Sequence, residues 1–202
     1  MSGICGWFEP EGQGSANASI ERMAATLARF DASPVRSKLA PWGAVALAAR
    51  EANGDLCQDG ERLVAVCGRA RFSEARLADS ARRIGLARAI AEAYAEQGAE
   101  VLKLLAGSFS LAILDRRERK ALLANDRMGT RSVCYSADAG KLVFGSNLDA
   151  INAYSGITDR IRPQAIYEYV HFHVIPGPHT VYVDRRRLEP GTFLLWDDGS
   201  HR

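Results

Sequence analysis

The chain is 202 residues long and nearly neutral, with 26 Lys and Arg against 24 Asp and Glu and a formal net charge of +2; with no long basic run, this argues against nucleic-acid binding. No apolar stretch reaches the roughly 20 residues that span a membrane, and the N-terminus lacks the basic, apolar and small-residue order of a signal peptide, so a cytoplasmic protein with no membrane partner is expected. The length suits one domain over residues 1–202 with its own core.

In chain order, Ile4 to Phe8 reads as a buried strand and Gly12-Gln-Gly-Ser-Ala as a loop. Ser19 is placed to cap a helix through Phe30, with Ile20, Met23, Leu27 and Phe30 on one face. Ser33-Pro34 and Pro41-Trp42 mark turns. Gly43 to Arg50 and Arg62 to Val66 are apolar enough for central strands, separated by the turn signals Asn53-Gly54 and Asp59-Gly60. From Ser73 a mostly helical region runs to Gly98, broken near Gly85, with a short helical turn to Leu105. Ser108 to Leu114, Ala121 to Asn125, Ser132 to Ser136 and Lys141 to Phe144 read as strands, with Ala139-Gly140 in a hairpin turn. A helix over Pro163 to Val170 and strands over Thr180 to Val183 and Thr192 to Trp196 complete the pattern, with the basic Arg185-Arg-Arg187 as a solvated turn between the last two. Strands in two batches with helices between them predict a layered α+β fold.

Cys5, Cys57, Cys67 and Cys134 are scattered with no Cys-x-x-Cys pair, which suits reduced thiols in apolar packing rather than disulfides or zinc. His171 and His173 could present two ligands on one face, but no third ligand stands at a metal-like spacing, so no metal is expected. The serine behind the initiator methionine is the most informative residue. Loss of Met1 would make Ser2 the N-terminus, and its α-amine, with a pKa of roughly 7.7 to 8.0, could act as base for its own hydroxyl.

Motifs along nearly the whole chain resemble those of class II glutamine amidotransferases of the asparagine synthetase type. Met1-Ser-Gly-Ile-Cys-Gly-Trp-Phe8 resembles the family's opening Met-Cys-Gly-Ile-x-Gly-x-Phe and sets Ser2, rather than Cys5, at the nucleophile position. Leu105-Ala-Gly-Ser-Phe-Ser-Leu-Ala-Ile-Leu-Asp115 resembles a Leu-x-Gly-x-Phe-Ala-Phe-x-x-x-Asp strand. Asn125-Asp-Arg-Met-Gly-Thr-Arg-Ser-Val-Cys-Tyr135 resembles Arg-Asp-x-x-Gly-x-x-Pro-Leu-Tyr-Tyr, and Leu142-Val-Phe-Gly-Ser146 the Phe-Ala-Ser-Glu that follows it. Tyr167 through Gly191 resembles the segment that closes this domain before the synthetase half. The resemblance implies a four-layer αββα sandwich of the N-terminal-nucleophile hydrolase type, with the first residue at the end of a central strand.

It also implies a glutamine site in which an Arg holds the α-carboxylate, an Asp the α-amino group, and an Asn-Gly pair donates to the oxyanion. Arg50 matches the carboxylate partner, though a plain strand-end arginine reads equally well. Gly68 keeps the oxyanion amide, but Cys67 replaces the Asn, and a thiol is a weak donor. Counting back from Tyr94-Ala-Glu-Gln-Gly98 sets Leu86 at the Asp position, and leucine cannot pair an ammonium. The family's Arg-Gly-Pro-Asp loop is missing between Asp31 and Gly43. Ser2 for Cys adds a less acidic nucleophile.

The leading expectation is therefore a degenerate amidotransferase domain whose glutaminase chemistry is lost or altered. It would serve as the N-terminal part of an ATP-dependent amide-forming enzyme, acting on a small-molecule or peptide substrate. ATP and Mg²⁺ would belong to a fused or associated synthetase domain, with no cofactor in this domain, and a homodimer is compatible with the reading. The alternatives are a working N-terminal-serine amidohydrolase that releases ammonia from glutamine, and a hydrolase of another acyl amide whose apolar group accepts Leu86.

Overall fold

A computed structural model describes residues 2–12, 17–29, 33–138, 140–157, 159–197 and 200–201. The first half of the chain forms β1 (Gly3–Phe8), α1 (Asn17–Ala28), β2 (Val35–Ala40), β3 (Gly43–Ala48), β4 (Gly54–Asp59), β5 (Arg62–Gly68), β6 (Arg71–Phe72), α2 (Ala75–Ile84) and α3 (Leu86–Gln97). A 3-10 turn over Gly98–Leu104 leads to β7 (Leu105–Ala106), β8 (Phe109–Asp115), β9 (Lys120–Asn125), β10 (Cys134–Asp138) and β11 (Lys141–Gly145). α4 (Leu148–Asn152), α5 (Pro163–Phe172), β12 (Arg186–Arg187), β13 (Phe193–Asp197) and β14 (Ser200–His201) follow.

The strands build two six-stranded sheets, ordered β12-β10-β11-β1-β3-β2 and β14-β13-β9-β8-β5-β4, beside a small β6-β7 pair. Their pairings are antiparallel. Alternation along each strand divides the core into layers. From β1, β3, β5 and β8, the side chains of Ile4, Phe8, Val45, Leu47, Leu63, Ala65, Ala112 and Leu114 fill the space between the sheets. The other parity faces helices. Val64, Val66, Leu111 and Ile113 pack under α3 with Ala87, Ile90 and Tyr94, and Ala44, Ala46 and Trp7 pack under α1 with Ile20, Met23 and Leu27. The result is the four-layer αββα sandwich, helix on sheet on sheet on helix.

Several local expectations need correction. α1 begins at Asn17, so Ser19 lies inside the helix, where its Oγ accepts from Arg22 Nη2 at 3.2 Å instead of capping. Phe30, Gln13 to Ala16, and Ala139 of the hairpin turn lie outside the described residues; Gly140 has the positive φ of 75° that such a turn uses. β2 and β4 are strands where only turns were expected, because both are sheet edges whose polar side chains hide the period-two signal. The five-residue α4 was also missed. Over Thr180 to Val183 there is an isolated bridge, Ile161 to Tyr182, in place of the expected strand. Arg185 is fully buried, not solvated. It pairs with Asp159 at 3.0 Å and lies over the Tyr182 ring at 3.9 Å, while Arg186 and Arg187 pair with Tyr135 and Cys134 as β12.

Gly68 closes β5 at a point where the backbone of the next strand comes too near for any side chain. A Cβ there would sit 2.2 Å from the Ser108 carbonyl oxygen, and the φ of +115° is strained for other residues. Gly68→Ala is accordingly expected to lower stability by about 3 kcal/mol or more; a urea midpoint equal to wild type would contradict this close approach.

Candidate functional site

The site forms where the start of β1 meets the end of β5 across the inter-sheet space. Ser2 precedes β1 and has the same parity as Ile4 and Phe8, so it turns toward the inner face. Ser146 holds this strand end in place: its Oγ accepts from Ile4 N at 3.0 Å, and its N donates to Ile4 O at 2.8 Å. Cys67 reaches the same point from β5, and the Ser2 hydroxyl hydrogen-bonds its sulfur. The structure thus brings Ser2 and Cys67 together, with Gly68 next in the chain.

The sequence reading missed Arg131. Its Nη1 donates to Ser2 Oγ at 2.7 Å, approaches Ser2 O at 3.5 Å and lies 3.9 Å from Cys67 Sγ. Burial pushes the Cys67 thiol pKa up, and this outweighs the opposing pull of the Arg131 charge and the Ser2 hydrogen bond. Cys67 is therefore a neutral thiol at pH 7. Arg131 sits at a position the family motif leaves unspecified, so no residue pattern singled it out.

Asp126 supports Arg131. Its Oδ1 accepts from Met128 N at 3.0 Å and Thr130 N at 3.3 Å, and its Oδ2 from Thr130 Oγ1 at 2.6 Å and Phe109 N at 3.2 Å. This ties the turn before Arg131 to the first residue of β8. Burial by itself would raise the Asp126 pKa, but these hydrogen bonds to the carboxylate prevail and hold it below the ordinary carboxylate value.

Leu86, the first residue of α3, is half-buried and lines a cleft of about 540 Å³ that Gly68 also lines. An acidic group stands beside the leucine that occupies the family's Asp position. Asp55 of β4 lines the same cleft, with Oδ2 accepting from Ala87 N at 2.9 Å and Oδ1 from Leu56 N at 2.8 Å. It satisfies an N–H at the start of α3, where the helix dipole favours negative charge. A signal existed in Asn53-Gly54-Asp55, but a turn reading hid the strand that carries it.

Arg50 is exposed just beyond β3 and does not line the cleft, although Glu51 does. Ser2, Cys67 and Arg131 do not line it either; Gly68 joins the two regions through the chain. A cavity of about 750 Å³ beside Asp126 and Thr130 includes neither Ser2 nor Leu86. Among the described residues no cluster of three or more His, Cys, Asp or Glu could hold a metal. His171 stacks on Tyr167 with ring centroids 5.8 Å apart, and His173 ends α5 in the left-handed conformation.

A family model described as glutamine amidotransferase domain matches residues 85–202, more than half of the chain. The chain belongs to that family. This amidotransferase domain is 26% identical over 110 residues to a protein of Methanocaldococcus jannaschii provisionally named asparagine synthetase 2 (glutamine-hydrolyzing), covering 54% of this chain and 21% of that one. It is 31% identical over 109 residues to a protein of Mycobacterium bovis provisionally named asparagine synthetase (glutamine-hydrolyzing), covering 52% and 17%. The chain thus spans about a fifth of the length of these relatives. Among solved structures, the glutamine phosphoribosylpyrophosphate amidotransferase from B. subtilis superposes with a TM-score of 0.60 over 99% of this chain and 48% of that one, at 14% identity. That likeness shows the fold, the four-layer αββα sandwich.

The Asp126 carboxylate has a folded pKa below its unfolded value of about 3.9. Its stabilisation is complete above that pH and lost as the pH falls through the folded value. Between pH 6 and pH 3 the urea midpoint of wild type should therefore drop further than that of Asp126→Asn; parallel curves would remove the carboxylate's role in fixing the Arg131 turn.

Proposed function

We propose that this asparagine-synthetase-like amidotransferase domain has lost glutamine hydrolysis and serves as the N-terminal domain of an ATP-dependent amide-forming enzyme. The observation that carries this reading is the environment of Ser2 Oγ. An attacking hydroxyl needs a base for its proton, and the side chains hydrogen-bonded to Ser2, a guanidinium and a neutral thiol, supply none, which leaves only the amine that a free N-terminus would provide. A guanidinium stays protonated and only donates. Cys67 stands where the family's Asn would donate to the oxyanion, and loss of one such donor costs about 10² to 10³ in rate. Leu86 offers nothing to an ammonium, and Asp55 already accepts from two backbone amides.

An amide-forming partner is supported by the relatives' names and by the surface around α5. Tyr167, Val170, Phe172 and Val174 are 62, 70, 59 and 53% exposed, an apolar patch of the kind that marks interaction sites. On this reading the synthetase domain holds ATP and Mg²⁺ and joins an amine to a carboxyl within a small-molecule or peptide substrate. A cytoplasmic location goes with it, and the four cysteines are free thiols.

A second reading is favoured by the 2.7 Å contact itself. If Met1 is removed and the Ser2 amine acts as base, Arg131 stands close enough to stabilise negative charge developing beside Oγ in place of the missing Asn. The domain would then be an N-terminal-serine amidohydrolase. Ammonia release from glutamine, measured for wild type and Ser2→Ala with intact mass to establish the N-terminus, separates the two. Equal background release from both is expected; wild-type turnover that vanishes in Ser2→Ala would establish the hydrolase.

A further inference from the structure

The cleft beside Leu86 has a charge balance that its packing role leaves unexplained. Arg36, Arg69 and Arg71 line it against two acids, Glu51 and Asp55. The Asp55 carboxylate is committed to Leu56 N and Ala87 N. Arg69 and Arg71 are exposed, and their side chains have no hydrogen bond or ion pair among the described residues. Arg36 donates from Nη2 to Gly54 O at 2.9 Å, but its Nε is buried without an acceptor among the described residues. An unmet buried donor is costly, and more so on a charged group. The exposed guanidinium groups of Arg69 and Arg71 are the ones an anion entering the cleft would meet.

The sum of these charges selects the anion. Three arginines against two carboxylates leave a net charge of +1, which a monoanion neutralises and a dianionic phosphate would overshoot. Arginine's planar fork fits a carboxylate through two parallel hydrogen bonds. Next to it the lining turns apolar, with Leu86, Ala52 and Ala70. Leu86 would desolvate an ammonium and pair with a hydrocarbon. At the far wall, Gly68 brings the cleft to within one residue of Cys67, and so to the Ser2 end of β1.

We propose that this cleft binds a small monocarboxylate with an apolar body, its carboxylate held by Arg69 and Arg71 with Arg36 behind them, and its hydrocarbon against Leu86. The proposal rests on the reading that glutamine has ceased to be the ligand of this domain. It names what the altered cleft takes instead.

The test is an amide NMR titration of the 202-residue chain with sodium hexanoate, hexanamide, inorganic phosphate and L-glutamine as probes. Hexanoate is expected to give saturable shifts at Gly68, Arg69 and Leu86, with hexanamide and phosphate binding about tenfold more weakly or worse, the loss of one charge-assisted contact. Arg69→Gln with Arg71→Gln should weaken hexanoate by at least about tenfold while leaving the spectrum of the core unchanged. Absence of saturable hexanoate shifts, equal binding by the double variant, or tighter binding of phosphate or glutamine would overturn the proposal. Ammonia release from glutamine is read separately, so glutaminase activity would refute the lost-activity reading by a different signal from one that refutes the carboxylate site.

Discussion

Two sheets packed face to face must be held at a fixed separation, and in this domain the Phe8 ring does so. It meets Trp42, at the turn between β2 and β3, edge-on at 5.9 Å, and Trp196, on β13 of the opposite sheet, edge-on at 5.5 Å. Such aromatic pairs add about 0.5–1.5 kcal/mol each beyond the area they bury. Because side chains alternate along a strand, Phe8, Ile4 and Ser2 share the inner face. The contact that sets the sheet spacing at one end of β1 therefore fixes how far Ser2 stands from Cys67 at the other. Across that gap Arg131, carried on the Asp126 turn, reaches both Ser2 Oγ and Cys67 Sγ.

The electrostatics around Ser2 and Leu86 show groups already committed elsewhere. Arg131 holds the Ser2 hydroxyl as an acceptor, and the Asp126 turn that positions Arg131 is closed by four hydrogen bonds. Asp55, the acid beside Leu86, accepts from the start of α3. In both places a carboxylate is tied to backbone amides of the fold, Asp126 to Phe109, Met128 and Thr130 and Asp55 to Leu56 and Ala87. The arginines of the neighbouring cleft differ in this respect, with Arg69 and Arg71 exposed and the Arg36 Nε unmet among the described residues.

Most of the fold was legible because its central strands are apolar on both faces and α2 and α3 are bounded by glycine. The break at Gly85 and the stop at Gly98 fall at the ends of α2 and α3, where both glycines have positive φ. β2 and β4 were not legible. At a sheet edge one flank has no neighbour, polar side chains are tolerated, and the sequence Val35-Arg-Ser-Lys-Leu-Ala40 reads as loop. Arg185 misled for the opposite reason. Three consecutive arginines suggest solvent, but a buried guanidinium is tolerated where Asp159, Asn152 and the Tyr182 ring surround it, and none of these is near it in a predictable register.

By itself the sequence determined the family and the layered fold and singled out Ser2, Cys67, Gly68 and Leu86, because short motifs at ordered spacing and period-two alternation are local properties of the chain. Only the tertiary structure decided what touches those residues. Arg131 lies 129 positions from Ser2, and Asp55 lies 32 from Ala87. Side chains so far apart are brought together by sheet register and inter-sheet packing, which depend on the whole set of strand pairings and leave no trace in the local pattern of residues.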